Sequence, residues 1–407
     1  MSIEVRSTPR NRLRSAAEVI TVALMGPLPT DEVWERRRAG WEAMESISAW
    51  DGERCVGHAG QFHVDTVVPG GRRLAAGAVT RVAVLPTHRR RGVASRLMEQ
   101  LIADSVDQDL ALMMLWASET GIYRRFGFGH AADHANLQIA VSGAAPLRRD
   151  DVGGSFVLLS PDEVLDTVPA VYDTAALRRA GGITRPNETW WRRQFDSVLD
   201  RSKAEYVVVH LDRDGRADGY VHYGATWNDD EPDEAPTGSG TVLDLFGADD
   251  RVELALWQYL FDVDLVTRWR ANGRPTDDPV RRAAGDGRAV RVRAVDDALW
   301  LRLVDIDAAL TARSYRDVRG SVAIGVSDSL VERNNRTWRV SSDGVEVTND
   351  PPDVALEGAT LSALYLGGVS WSTLAATGDV AVNDTAALAA ADALFSVDRA
   401  PFCGTFF

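Results

Sequence analysis

Val82-Ala83-Val84-Leu85-Pro86-Thr87-His88-Arg89-Arg90-Arg91-Gly92-Val93-Ala94-Ser95-Arg96-Leu97 is the stretch on which the reading of the fold turns. It predicts a strand that runs into a cationic, glycine-containing turn and then the first turn of a helix. A helix start presents backbone N–H groups that have no intrahelical acceptor, and its dipole favours negative charge. Arginines just upstream, and a glycine that lets the backbone approach closely, suit this turn to a pyrophosphate. The rival reading of Arg89, Arg90 and Arg91 is a solvated charged face.

Working outward, residues 4–6 read as a short strand and 13–25 as a helix. Thr30 can cap a second helix with Asp31 and Glu32 in its first turn, along which Trp34, Trp41 and Met44 recur at helical spacing. Residues 46–50, 54–64 and 74–84 read as an antiparallel run, with turns at Asp51-Gly52 and Pro69-Gly70-Gly71. After the cationic turn come a helix through Leu97, Leu101 and Ile102, and an apolar strand over 110–116. A short helix and turn over 121–127 and a closing strand over 135–141 follow.

A second unit starts near Asp151. Ser160-Pro161-Asp162-Glu163 opens one helix, and 189–195 makes another. A hairpin joins 206–211 to 219–226, the acidic run 228–236 reads as a solvated loop, and a strand (241–246), helix (251–261) and strand (265–269) follow. This order repeats the first unit in topology, with no residue-level repeat. Trp190-Trp191 reads as core. At the place of the phosphate turn the second unit has Gly247-Ala248-Asp249-Asp250-Arg251, whose acids would repel a pyrophosphate. Residues 281–288 read as a linker. The last unit takes in 298–303, a helix over 306–310, strands at 320–327, 337–341 and 344–348, and helical patterns at 359–365 and 385–394. The expectation is an α+β chain of mixed sheets flanked by helices, divided into 1–150, 151–287 and 288–407.

Composition bounds the function. At 407 residues the chain is too long for one ordinary core. Its 45% hydrophobic and 26% charged residues are those of a globular protein. No run of about 18 apolar residues is present, so no membrane span is expected. The charged start, with no apolar segment behind it, reads against a secretory signal. Cys55 and Cys403, far apart in sequence, suggest neither a disulfide framework nor a metal site, and a reducing cytoplasm is the expected compartment. The net charge of −14 is uneven: residues 1–150 hold 19 basic against 17 acidic groups, the rest 26 against 42. The positive excess thus lies with the phosphate turn, and the acidic remainder reads against nucleic acid and suits cationic ligands. Lys203 is the single lysine, a bias of composition.

Three elements carry a resemblance: Val82-Ala83-Val84, then Arg90-Arg91-Gly92-Val93-Ala94, then Tyr123-Arg124-Arg125-Phe126-Gly127-Phe128. Together they resemble the GNAT acetyltransferases, in which the strand pairs with the pantetheine arm and the loop amides hold the CoA pyrophosphate. Ser118-Glu119-Thr120-Gly121-Ile122-Tyr123-Arg124-Arg125-Phe126-Gly127 and Val79-Thr80-Arg81-Val82-Ala83-Val84 are close to the wording of the Eis family (enhanced intracellular survival proteins). Over the full length the chain resembles that family: a catalytic GNAT unit, a degenerate GNAT-like unit and a sterol-carrier-like α+β unit. The resemblance implies an acetyl-CoA-dependent N-acetyltransferase acting on small-molecule amines such as aminoglycosides, or on lysine side chains. It also implies a homohexamer. It makes Val82, Ala83, Val84, Arg89, Arg90, Arg91, Gly92, Val93, Ala94, Ser95, Ser118 and Glu119 candidate CoA contacts, with acetyl-CoA the cosubstrate and no metal required. A non-catalytic CoA- or lipid-binding regulatory protein is the alternative class.

Acetyl transfer to an amine needs a neutral nitrogen, a polarised thioester carbonyl and a proton for the leaving sulfur. The backbone amide that follows Val84 is one candidate to polarise the carbonyl. Tyr123, a phenol with an ordinary pKa of about 10, is the candidate acid, against the plain reading that it packs. His63, His88, Glu119 and His130 are candidate bases by type. The resemblance points instead to the chain's terminal α-carboxylate, here that of Phe407, in a tail with Phe402 and Phe406. Such a group, with a pKa of about 3.5 in water, becomes a better base when desolvated. Docking of the tail without chemistry is the alternative. Ser118 reads equally as a helix cap, and Trp34 and Trp41 as core or as one wall of an acceptor pocket. Gly26-Pro27-Leu28-Pro29 and Phe406 bring no acidic group to such a pocket, which leaves the acceptor less specified than the acetyl transfer.

Overall fold

The computed structural model describes residues 3–228 and 237–407. The chain forms two compact units. One gathers the residues up to Ala131, residues 299–397 and the last two, Phe406 and Phe407; the other gathers 132–298 and 398–405.

In the first unit, β1 (Glu4–Ser7), α1 (Leu13–Ala23), α2 (Asp31–Glu42), β2 (Glu45–Asp51), β3 (Arg54–Val67) and β4 (Arg73–Val84) lead to α3 (Val93–Asp107) and β5 (Leu112–Leu115). Thr30 caps α2 as its sequence predicts, accepting from the Val33 N–H at 3.3 Å. The strands lie in the order β1-β2-β3-β4-β5, antiparallel except that β4 and β5 are parallel. A parallel pair needs a crossover, and α3 is that crossover. Leu97, Met98, Leu101 and Ile102 turn its apolar stripe into the core. Gly57 on β3 makes the fit possible, because a Cβ there would lie 2.9 Å from Val93 Cγ1. In place of the short helix expected over 121–127, two single 3₁₀ turns, Thr120–Ile122 and Arg124–Phe126, end at Gly127 in the left-handed region.

β6 (Gly129–Ala140) takes the chain from the first unit into the second. There follow α4 (Val141–Ala144), β7 (Ser155–Leu158), α5 (Pro161–Ala175), α6 (Glu188–Gln194), α7 (Asp196–Leu199), β8 (Glu205–Leu211), β9 (Ala217–Asn228), β10 (Thr237–Gly247), α8 (Asp250–Phe261), β11 (Val266–Arg274), α9 (Val280–Ala283) and β12 (Val290–Leu303). The strand order is β6-β11-β10-β9-β8-β7, with β10 and β11 parallel and α8 between them in sequence. That repeats the plan of the first unit. The loop expected over 228–236 lies outside the described residues, except that Asn228 ends β9. One core cluster gathers Leu137, Trp257 and Trp269, and another Tyr172, Phe195, Phe246 and Phe402.

The end of β12 belongs to the first unit, where Trp300–Leu303 pairs antiparallel with β5. Then come α10 (Ile306–Ala312), β13 (Ser321–Ser327), β14 (Thr337–Ser341), β15 (Gly344–Thr348), β16 (Val354–Glu357), α11 (Gly358–Leu364), α12 (Trp371–Ala376), β17 (Val380–Val382) and α13 (Thr385–Phe395). Their sheet has the order β15-β14-β13-β16-β17. Val322, Ile324, Trp338 and Val340 are buried together with Leu361, Trp371 and Phe395 of the helices. The alternate positions Gly325, Ser327, Thr337 and Ala355 line an open groove of about 940 Å³ that reaches Arg124.

Candidate active site

β4 holds β5 only from Ala76 to Val79. Beyond that, Thr80–Val84 keeps β3 on one side and, among the described residues, pairs with no strand on the other, and these five residues are half-buried. The cause is local. Arg81 sits at φ 55°, in the left-handed region, and β4 places an extra residue against β3 between the His58–Ala83 and Gly60–Thr80 pairs. Such a bulge bends a strand and ends regular pairing. His58 holds it: the ring is fully buried and its Nδ1 lies 2.9 Å from the Arg81 carbonyl oxygen. Burial pulls the His58 pKa down to about 4, so the ring is neutral and Nδ1–H donates. The Arg81 guanidinium lies 4.2 Å over the Trp41 ring and donates to the Gly40 carbonyl at 3.2 Å. Trp41 also meets His58 edge-on at 5.2 Å, which makes Trp41 a support of the bulge.

The open edge carries backbone groups. Leu85 N–H donates to the Val56 carbonyl at 2.9 Å, so the amide that follows Val84 is already used by β3. Because N–H and C=O groups alternate sides along a strand, the Val84 N–H and C=O face the open edge instead. The amide that this edge offers is therefore that of Val84 and not the one that follows it.

After a 3₁₀ turn over Pro86–His88, Arg90 (φ 62°) and Gly92 (φ 72°) bring the chain to α3 in two left-handed steps. Gly92 has no side chain to cap the helix, and no acid stands in its first turn, which leaves the N–H groups of Val93, Ala94 and Ser95 without an intrahelical acceptor. A Cβ at Gly92 would meet nothing within 4 Å, so the approach to these groups is open. Arg89, Arg90 and Arg91 are exposed around it. Among the candidate bases, His88 is buried beneath this turn with Nε2 3.4 Å from Asp51, and His63 is engaged by Glu45 at 3.1 Å. His130 stacks on Trp300 at 5.6 Å, and Glu119 is exposed.

Tyr123 lies between the two 3₁₀ turns, buried, with its ring edge-on to Phe128 at 6.1 Å. Burial first, and the negative charge of Glu119 second, push its phenol above the ordinary value. Ser118 is exposed at the end of β5, and the residue at the helix-cap position is Glu119, with no side-chain cap bond; the capping reading of Ser118 is overturned. Sequence reasoning missed the groups that brace this turn. Arg302 on β12 is fully buried and gives both carboxylate oxygens of Asp328 a hydrogen bond of 3.0 Å. Its guanidinium fills the space beside Gly127, where a Cβ would clash with it. Burial alone would raise the Asp328 carboxyl, but Arg302 and the hydrogen bonds from Asn334 and the Leu330 N–H hold it below its usual range. On the exposed side, Arg124 donates to Asp379 at 2.7 Å and Thr360 at 3.2 Å.

The tail is held at each step. In the second unit, Phe402 N–H donates to the Ala180 carbonyl at 2.8 Å. Arg185, 1% exposed in its side chain, donates to Asp244 at 2.9 Å and to Thr405 Oγ1 at 3.0 Å, and lies 4.0 Å over the Tyr172 ring. Burial lifts the Cys403 thiol to about 12, so it is inert at neutral pH; Cys55 is likewise buried, and the two are unbonded. In the first unit, Phe406 packs on Trp116, just past β5, at 5.6 Å, and Phe407 is 4% exposed. Among the described residues no group of three or more His, Cys, Asp or Glu is placed to hold a metal, and no helix is long and apolar enough to cross a membrane.

Comparison with known proteins agrees with this geometry. Residues 4–131 and 181–316 each match a family of acetyltransferase (GNAT) domains, and residues 306–404 match a sterol carrier protein domain. An uncharacterised N-acetyltransferase of Streptomyces griseus is 32% identical over 421 residues, covering 100% of both chains. The N-acetyltransferase Eis of Mycobacterium tuberculosis is 31% identical over 366 residues, 86% of this chain and 85% of that protein. The crystal structure of Eis1 from Mycobacterium abscessus superposes with a TM-score of 0.86 at 35% identity, over 100% of each chain. A GCN5-related N-acetyltransferase from Anabaena variabilis, 17% identical with a TM-score of 0.84, shares the fold. An uncapped helix start beside an open strand edge, in a chain matched end to end by such relatives, makes this protein a GNAT N-acetyltransferase of the Eis family, with two GNAT domains and a sterol-carrier-like domain.

Proposed function

We propose that the protein moves the acetyl group of acetyl-CoA onto an amine of a small polyamine-type molecule such as an aminoglycoside, or onto a lysine side chain, by direct attack within a ternary complex. The observation that carries this reading is the unpaired edge of β4 leading into the uncapped first turn of α3. An extended thioester arm can add to the edge at Val82, Ala83 and Val84, with Ser118 and Glu119 as further candidate contacts. The pyrophosphate suits the N–H groups of Gly92, Val93, Ala94 and Ser95, with Arg89, Arg90 and Arg91 around it. On this reading Val84 N–H polarises the thioester carbonyl.

Tyr123 then gives its proton to the departing CoA sulfur, and the α-carboxylate of Phe407 takes the proton from the amine. Engagement of His63, His88 and His130 with other side chains supports the carboxylate over the histidines. The chemistry so described needs no metal. The same reading assigns 1–150 to the catalytic domain, 151–287 to the degenerate one and 288–407 to the sterol-carrier-like one, in a cytoplasmic homohexamer. Acids at Asp249 and Asp250 leave the second domain unsuited to the cosubstrate. The test is a steady-state assay of acetyl-CoA with aminoglycosides, polyamines and lysine peptides, reading free thiol. Turnover with one class names the acceptor, and no turnover with any amine sinks the proposal.

A further inference from the structure

The second unit contains a cavity of about 690 Å³ with an unusual lining: Arg268 from β11, Arg291 and Arg293 from β12, and Arg288 just before β12. The topology gathers these residues. Arg291 and Arg293 are two apart on one strand and therefore share a face. Arg268 stands opposite Ala140 of β6, and Arg270, exposed on the same face of β11, stands opposite Gln138. The floor is fixed by backbone bonds, Asp286 N–H to the Gly143 carbonyl at 2.7 Å and Ala140 N–H to the Ala289 carbonyl at 2.9 Å.

Three other arginines of this unit are neutralised. Arg178 meets Glu253 at 2.6 Å, Arg179 meets Asp277 at 2.6 Å, and Arg274 meets Asp278 at 2.7 Å. In the cavity, among the described residues, none of the four guanidiniums has a carboxylate within ion-pair distance; Arg291 Nε reaches only the Arg288 carbonyl, at 3.4 Å. The one acid in the lining, Asp286, accepts from the Arg288 backbone N–H at 2.8 Å. Four like charges converging on one concavity repel each other unless an anion joins them, and guanidinium forks match phosphate oxygens two at a time. This happens in a chain whose net charge is −14, so the site opposes the charge of the molecule around it.

We propose that this cavity binds a small polyanion carrying two or more phosphate groups, separately from the acetyl donor. Its volume falls in the range of small-molecule sites, and its four arginines favour an anionic ligand. The inference does not rest on acetyl transfer, and its test does not read turnover. Isothermal titration with inorganic tripolyphosphate would be run on the full chain in saturating CoA, which fills the turn before α3, and in parallel with inorganic phosphate. One tripolyphosphate per chain is expected, bound at least tenfold more tightly than phosphate and more weakly as salt rises. The double variant Arg268→Gln/Arg293→Gln should lose at least tenfold in tripolyphosphate affinity while its CoA affinity and melting temperature stay unchanged, since both side chains are exposed. No binding of tripolyphosphate, or equal binding by the variant, overturns the proposal. So does a change in the variant's mass in solution with no change in binding, which would make this face a contact between copies.

Discussion

A phenol that burial and Glu119 both push above its ordinary pKa keeps its proton through the neutral range, so Tyr123 can only donate. Tyr123→Phe should therefore lower kcat by about 10²–10⁴-fold, with CoA affinity unchanged, because the ring itself still packs on Phe128. A kcat within twofold of the parent would return the proton to water. His58 is the opposite case, a base that the fold keeps neutral. Its folded pKa of about 4 lies below its ordinary 6.5. Between these values the unfolded chain takes up a proton that the folded chain refuses. Stability is thus complete above pH 6.5 and falls as the pH drops toward 4, by about 3 kcal/mol at most. Urea unfolding of the parent and of His58→Asn across pH 4.5–7.5 checks this. The variant should be less pH-dependent over that interval, and parallel curves would remove His58 from the acid response.

At the scale of elements, the strand, the turn and α3 were legible because each step has its own sequence signal: an apolar run after the Pro69-Gly70-Gly71 turn in β4, arginines and Gly92 in the turn, an apolar stripe in α3. The bulge that opens the edge of β4 was not. It depends on Arg81 in a left-handed conformation that residues with side chains rarely adopt, and on a buried histidine 23 positions away. β12 was half hidden for another reason. Arg291, Arg293, Asp296 and Asp297 leave its first part without a strand pattern, and only 298–303 stood out, although it is one strand from Val290 to Leu303. β16 and β17, at 4 and 3 residues, are too short to show a period. The pair beside Gly127 was invisible too, since nothing in sequence marks Arg302 as the partner of Asp328. That pair is open to test. Asp328→Asn leaves a buried guanidinium without its counter-charge and should cost about 3–5 kcal/mol, read as a lower denaturant midpoint. A loss under about 1 kcal/mol would mean that water or a neighbouring carbonyl replaces the carboxylate.

At the scale of the whole molecule, the chain leaves the first unit after Ala131 and returns at Leu299, and the last two residues come back to it once more. Local patterns report neighbours within a few turns, so they cannot announce that β5 is joined by residues 300–303 or that Phe406 packs on Trp116, hundreds of positions earlier. Apart from the family resemblance, hydrophobic residues in the tail gave the hint, and the structure adds the bonds that hold it. Residues 398–405 are tied through Arg185, Tyr172 and Phe402, while Phe406 lies on Trp116. Two variants separate holding the tail from using its end. Thr405→Val removes an acceptor from the buried Arg185 and should cost about 1–3 kcal/mol, which a melting curve reads. Appending Gly-Ser-Gly after Phe407 leaves every one of those bonds in place but converts the α-carboxylate to an amide. If that carboxylate takes the proton from the amine, the extended protein should melt as the parent does, bind CoA as the parent does, and lose at least about tenfold in kcat. Full turnover in the extended protein would send the base back to a side chain, and a lowered melting point without a kinetic loss beyond that of Thr405→Val would make the tail a structural strap alone.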